Sequence, residues 1–493
     1  MKALLCSDKY QYTMGHTFVK EGMDKEMAIF NMFFRKAPDG NGFAVVSGIK
    51  EVLDMICTMG KYDKKYYKKF LPHDEYDEYC ELLSKTIFTG SVRGMEEGEI
   101  VFPNQPIITI TAPLLQAQIL ETPMLAIMNH QMAIATKASR VSRSTKKPVS
   151  EFGSRRAHGI WAATYGAKAA YIGGCANTSN VLSTIGMNVP STGTMAHSYV
   201  TAFGVGPKAE YKAFDAYIKT HAPQQESLIM LIDTYDTLCS GIKNAIKAFK
   251  DNGINDYYSA PYGVRLDSGD LAYLSQECRR MLDEAGLTKA IISATNGLDE
   301  YIIPQLELQG AQIDMYGVGD AIATSKHNPC FGGVYKLVQI GEQPVIKLSE
   351  DRIKVTNPGN LITIRMVDKI RSENIADVTC IKNDATHLAL LKGEEIVLTA
   401  EDDKTKQTKY KADTYNAYEM QTDYIIDGFS MVYDFSIEDA KVFYNHNLSM
   451  FHPAVTRLIN PHIYKNNISD ELYNLKTQMI YEIKEAIEKE MEE

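Results

Sequence analysis

Between about residue 145 and residue 340 the chain repeats one pattern, and that pattern restricts the fold more than any other feature. A short apolar run is followed by a polar cluster and then by a helical stretch. The runs are the residues before Glu151, Ala169–Ile172, Ile185–Val189, Leu228–Ile232, Tyr262–Val264, Ala290–Ala294 and Ile313–Tyr316. Buried parallel strands read as short continuous apolar runs, because both of their faces are covered. Strand–helix alternation over this length predicts an α/β fold, an irregular β/α barrel. In such a barrel the residues just past the strand ends build the active face.

Those positions carry an unusual mixture. After the first run stands Glu151-Phe152-Gly153-Ser154-Arg155-Arg156-Ala157-His158. After the second stands Gly173-Gly174-Cys175-Ala176-Asn177-Thr178-Ser179-Asn180. After the third stands Ser191-Thr192-Gly193-Thr194-Met195-Ala196-His197-Ser198. A glycine-rich turn after a strand is ordinarily only a turn, and a lone histidine is ordinarily structural. The signal is the recurrence. Glycines and hydroxyls suit phosphate oxygens, and arginines suit carboxylates or phosphates.

The remaining clusters extend the argument. Arg155, Arg156 and Arg265 offer planar, permanently charged forks for a carboxylate. Asp233, Asp236, Asp267 and Asp270 offer hard oxygens for a sugar diol or for Mg²⁺. Gly297 and Gly317-Val318-Gly319 let backbone amides approach a phosphate. Phe152 and Tyr10 offer two aromatic faces that could sandwich a flat ring. Together they call for a ligand with a phosphate, a diol and a small anionic ring.

Length sets the wider frame. A chain of 493 residues exceeds one compact core. Residues 1–140 read as an N-terminal α+β domain with a connecting helix, 141–345 as the catalytic barrel, and 346–493 as a C-terminal segment packing with the N-terminal domain. Asp8–His16 reads as the first turns of a helix capped by Ser7 or Asp8, and Met27–Arg35 as a strand. Leu120, Met124, Met128 and Met132 form one apolar stripe of a core helix, and a last helix starts near Ser469.

The net charge of −10 argues against nucleic acid or an anionic membrane as partner. No run is long and apolar enough to span a bilayer. The opening Met1–Asp8 turns charged at once and does not read as a signal peptide. The 8 cysteines form no Cys-x-x-Cys pair, so they fit a reducing cytoplasm, with Cys175 as a small filler residue.

The motifs Asp8-Lys9-Tyr10-Gln11-Tyr12-Thr13-Met14, Phe152-Gly153-Ser154-Arg155-Arg156, Thr178-Ser179-Asn180, Gly193-Thr194-Met195-Ala196-His197-Ser198, Leu231–Thr237, Arg265-Leu266-Asp267-Ser268-Gly269-Asp270 and Gly332–Leu337 together resemble the nicotinate phosphoribosyltransferase family. One departure is Asn177, where that family usually has glycine. The resemblance implies a type II phosphoribosyltransferase fold and an ATP-coupled transfer of phosphoribosyl from 5-phosphoribosyl 1-pyrophosphate to nicotinate, in NAD salvage. It implies a head-to-tail homodimer with shared sites. Nicotinate would lie between Phe152 and the partner's Tyr10, with Arg155 and Ser179 nearby and Arg265 on its carboxylate beside Thr194. Asp233 and Asp267 would face the ribose and Mg²⁺–pyrophosphate. Thr324 and the turns at Asn296-Gly297 and Gly317–Gly319 would hold the 5-phosphate, and ATP would phosphorylate His197. Nicotinamide phosphoribosyltransferases, the nearest rival, have an acidic residue where Ser179 stands. A catalytically inactive barrel with a binding role is the rival of another class.

Overall fold

The computed structural model describes residues 3–351, 354–399, 405–431 and 435–492. It divides into two compact units, Ile134–Pro329 and Met1–Ala133 with Cys330–Glu493.

The unit Ile134–Pro329 is built on a parallel sheet of six strands: β1 (Val149–Glu151), β2 (Asn177–Thr178), β3 (Leu228–Leu231), β4 (Tyr262–Leu266), β5 (Ile291–Thr295) and β6 (Met315–Val318), in the order β2-β1-β6-β5-β4-β3. Every pairing is parallel, so the carboxyl ends share one edge. Among the described residues the edge strands β2 and β3 do not pair, which makes the sheet an irregular half-barrel rather than a closed one. β3 is buried at every residue, the reason its sequence is apolar without alternation.

Two of the expected strands are helices. Ala169–Ile172 is the last turn of the helix Ile160–Ile172, and the strand proper is only Asn177–Thr178, inside the polar cluster. That helix is buried from Gly166 to Ile172, and its last four residues, all apolar, have the same short-range pattern as a buried strand. Small residues let it pack closely: a Cβ at Gly173 would lie 2.2 Å from the Ala135 carbonyl oxygen. Ile185–Val189 falls in and after the helix Val181–Met187, which Asn180 caps by accepting from the Ser183 N–H at 2.9 Å and which Asn188 ends with φ 56°. Of the expected third strand only an isolated bridge, Thr178 to Ser191, remains.

The other unit is antiparallel where its segments meet. Met27–Phe34 lies between Ile108–Pro113 and Gly333–Ile340, and Gln421–Ile426 extends the same sheet by pairing with Ser91–Met95. The break between units therefore falls at Pro329 rather than at 345, because Gly333–Ile340 pairs with the N-terminal strand. Asp8 is the N-cap of Lys9–Lys20, but its carboxylate accepts from the Thr122 hydroxyl at 2.8 Å instead of from the helix. Leu120, Met124, Met128 and Met132 are all fully buried in this unit's core. The last helix is Asp470–Glu492; its stripe is buried at Leu472 and exposed by Ile487. Residues 352–353, 400–404, 432–434 and 493 of the expected C-terminal segment lie outside the described residues.

Candidate active site

A cavity of about 310 Å³ opens at the carboxyl edge of the parallel sheet. Phe152, Arg155, Ser179, Thr194, Arg265, Asp267, Asn296, Gly317 and Gly319 line it, together with Ser154, Arg156 and Asp320. Residues from six separate strand ends and loops thus converge, as the barrel pattern predicts.

One wall is aromatic. Phe152 follows β1, and its N–H donates to the Val318 carbonyl at 2.8 Å. Its ring lies against Gly317: a Cβ there would stand 2.4 Å from the ring and 2.6 Å from Thr295 Cγ2. Glycine in β6 is what leaves the ring its place.

Arg265, near the end of β4, supplies the cation. Its NH1 donates to the Thr194 hydroxyl at 2.5 Å, and its Nε is buried with no partner among the described residues. Burial lowers its pKa from the usual arginine value, Asp267 and Asp233 act in the opposite sense, and Arg155 adds to the lowering. A guanidinium so arranged remains charged and has a donor unused.

The acids divide by role. Asp233 follows β3; its side chain is 2% exposed. Its Oδ2 accepts from the Ser268 hydroxyl at 2.5 Å and from the Asp267 N–H at 3.3 Å, while Oδ1 is buried and unpartnered. Asp267 accepts from the Thr295 hydroxyl, and its backbone carbonyl accepts from Asn296 Nδ2 at 3.0 Å. Asp236 and Asp270, by contrast, are helix caps: they accept from the Cys239 N–H at 2.6 Å and the Tyr273 N–H at 3.0 Å. Their carboxylates serve backbone amides rather than a diol or metal.

His197 begins the short helix His197–Ala202. Its Nδ1 lies 3.1 Å from the Thr234 hydroxyl, and its Nε2 faces Asp233 Oδ1 at 3.9 Å, beyond hydrogen-bond reach, with the side chain 44% exposed. Asn296 and Gly297 both have left-handed backbone, φ 73° and 67°, which reverses the chain after β5. Gly297 is exposed and not part of the cavity lining; Thr324 is likewise outside it, its hydroxyl donating to the Asp320 carbonyl at 2.7 Å. Tyr10 belongs to the other unit, 47% exposed, its hydroxyl donating to Glu121 at 3.3 Å. The hydroxyls of Thr178, Thr234 and Ser268, which accept or donate beside the charged groups, lie inside the family motifs although the resemblance gives them no role, and that of Thr295 lies outside those motifs. Their place at strand ends is what marks them.

Family models for the N-terminal and the C-terminal domain of nicotinate phosphoribosyltransferase match residues 5–129 and 362–476. The chain is 37% identical to the nicotinate phosphoribosyltransferase of Bacillus subtilis, over 99% of this chain and 97% of that one. A crystal structure of the human nicotinic acid phosphoribosyltransferase superposes with a TM-score of 0.82 at 25% identity, covering 96% of this chain and 99% of that one. The nicotinate-nucleotide pyrophosphorylase of Pyrococcus furiosus shares the fold, with a TM-score of 0.68 at 22% identity over 91% and 96% of the two chains. No described helix is long and apolar enough to cross a membrane.

Proposed function

The chain belongs to the nicotinate phosphoribosyltransferase family, and on that premise we propose that it transfers the phosphoribosyl group of 5-phosphoribosyl 1-pyrophosphate to nicotinate, in NAD salvage. The observation that carries the choice of acceptor is Arg265. A half-buried arginine whose buried Nε has no hydrogen-bond partner among the described residues, lining a cavity beside an aromatic ring, is matched by a planar carboxylate on an aromatic acid. Ser179 brings no negative charge to repel that carboxylate, which favours nicotinate over nicotinamide.

In the reaction the bond from ribose C1 to pyrophosphate breaks, and the pyridine nitrogen supplies the electron pair for the new C1–N bond. That nitrogen carries no proton, so no general base is required. Phe152 and Arg265 orient the ring. Asp267 stabilises positive charge growing on the sugar, and the turns at Asn296 and Gly319 receive the 5-phosphate, while Gly317 stands inside β6 beneath the Phe152 ring. Asp233 and Asp267 fit Mg²⁺: Asp233 Oδ1 is a buried hard oxygen without a hydrogen-bond partner among the described residues. Bound there, Mg²⁺ would neutralise the departing pyrophosphate. We assign ATP coupling to phosphorylation of His197, and we take the enzyme to be a homodimer in which Tyr10 of one subunit closes the acceptor site of the other.

One assay tests the reading: pyrophosphate release with nicotinate or nicotinamide, each with and without ATP and Mg²⁺. Release that requires nicotinate and Mg²⁺ and rises with ATP is the expected result. Release that ignores nicotinate, or none at all, would overturn it.

A further inference from the structure

Glu151 closes β1, and the chemistry above makes no use of it. Its side chain is buried, with no cation paired to it among the described residues. A carboxylate in that position is costly unless its oxygens are occupied, and they are. One accepts from the Gly153 N–H, the other from the Thr178 hydroxyl at 2.6 Å, and the Glu151 carbonyl accepts from the Ser179 N–H at 3.0 Å.

Thr178 carries the connection further. Its hydroxyl oxygen accepts from the Asn180 N–H at 3.0 Å. Its own N–H donates to the Pro190 carbonyl at 3.0 Å, and its carbonyl accepts from the Thr192 N–H at 2.8 Å. Asn180 in turn donates from Nδ2 to the Ser154 hydroxyl at 3.1 Å. Three segments, 151–156, 177–180 and 190–194, meet at Thr178: its hydroxyl reaches the Glu151 carboxylate, and its backbone N–H and carbonyl hold Pro190 and Thr192. Those segments contribute Phe152, Ser179 and Thr194 to the cavity.

We propose that Glu151 and Thr178 are positioning residues for the aromatic acceptor. They touch no substrate; their contact fixes Phe152, Ser179 and Thr194 relative to one another. The inference rests on the proposed reaction for its kinetic readout only. Glu151 accepts from two donors, so an amide in its place would turn a donor toward one of them. Thr178 offers the milder change.

The test compares Thr178→Val, isosteric and lacking the hydroxyl, with Thr178→Ser, which keeps it. Thr178→Val should raise the KM for nicotinate by about tenfold or more and leave the KM for phosphoribosyl pyrophosphate within about twofold, while Thr178→Ser should lie within about twofold of wild type in both. Amide hydrogen exchange in the ligand-free enzyme gives a second readout. In Thr178→Val it should accelerate in 153–157 and 190–194 as well as in 177–180. Equal changes in the two KM values, an equally impaired Thr178→Ser, or exchange changes confined to 177–180 would overturn the proposal. A wild-type enzyme that ignores nicotinate would overturn the functional reading instead, and the exchange result would still decide the positioning role.

Discussion

At Arg265 the protein keeps a guanidinium largely out of water and bonds only part of it, to Thr194. Asp267 and Asp233 offset part of that burial, and the donor left unused is the one the proposed carboxylate would take. Arg265→Ala should cost about 2–4 kcal/mol in kcat/KM for nicotinate, and much less for any nicotinamide reaction; equal losses for both would make Arg265 structural. His197 presents a different case. Its ring stands between Thr234 and Asp233 yet is 44% exposed, accessible to a phosphoryl donor and already oriented. His197→Ala should retain a slow, ATP-independent transfer and lose nicotinate-linked ATP hydrolysis. An acid-labile, base-stable ³²P label from γ-labelled ATP should appear on wild type and vanish in the variant; a variant that still labels refutes the assignment.

At the scale of elements, the parallel strands do the placing. β6 sets Phe152 through one absent side chain: a Cβ at Gly317 would lie 2.4 Å from its ring. Gly317→Ala should push the ring toward the cavity, raising the KM for nicotinate by about tenfold and costing about 1–3 kcal/mol of stability from overpacking. Steady-state kinetics with thermal denaturation checks it; an unchanged KM would mean the ring has room elsewhere. β3 to β6 were legible in sequence, because each is an apolar run ending in polar residues. Ala169–Ile172 and Ile185–Val189 were not, because four or five apolar residues look alike in a buried helix and a buried strand. Their polar sequels nonetheless line the cavity at Ser179 and Thr194, since where a loop ends up does not depend on whether a helix or a strand precedes it.

At the scale of the whole molecule, the first and last thirds of the chain form one unit, and a buried ion cluster joins them. Arg365 donates to Glu99 at 2.6 Å, to Asp377 at 2.7 Å and to the Ile100 carbonyl at 2.7 Å, with no side-chain exposure. Burial alone would lower its pKa, but the two carboxylates outweigh it and hold it well above the usual arginine value. Arg365→Met would leave two acids buried and unpaired, and should destabilise by about 3–5 kcal/mol in denaturant unfolding. A loss under about 1 kcal/mol would show that water reaches the cluster. The proposed dimer has its own test. Tyr10→Ala and Asp267→Ala subunits, each inactive alone, should regain activity after subunit exchange, because one hybrid site is then intact. No recovery after verified exchange would confine each site to one chain.

What the sequence determined by itself was whatever depends on local order: the strand-end positions of Phe152, Arg265 and Asp267, the core stripe from Leu120 to Met132, and the motifs that mark the family. Tertiary structure alone decided the rest. It made caps of Asp236 and Asp270 while leaving Asp233 an unpartnered oxygen, it attached Gly333–Ile340 to Met27–Phe34, and it joined Glu151 to Thr178. Identical side chains took different roles because a carboxylate's role is set by which donors reach it, and those donors come from elements distant in the chain.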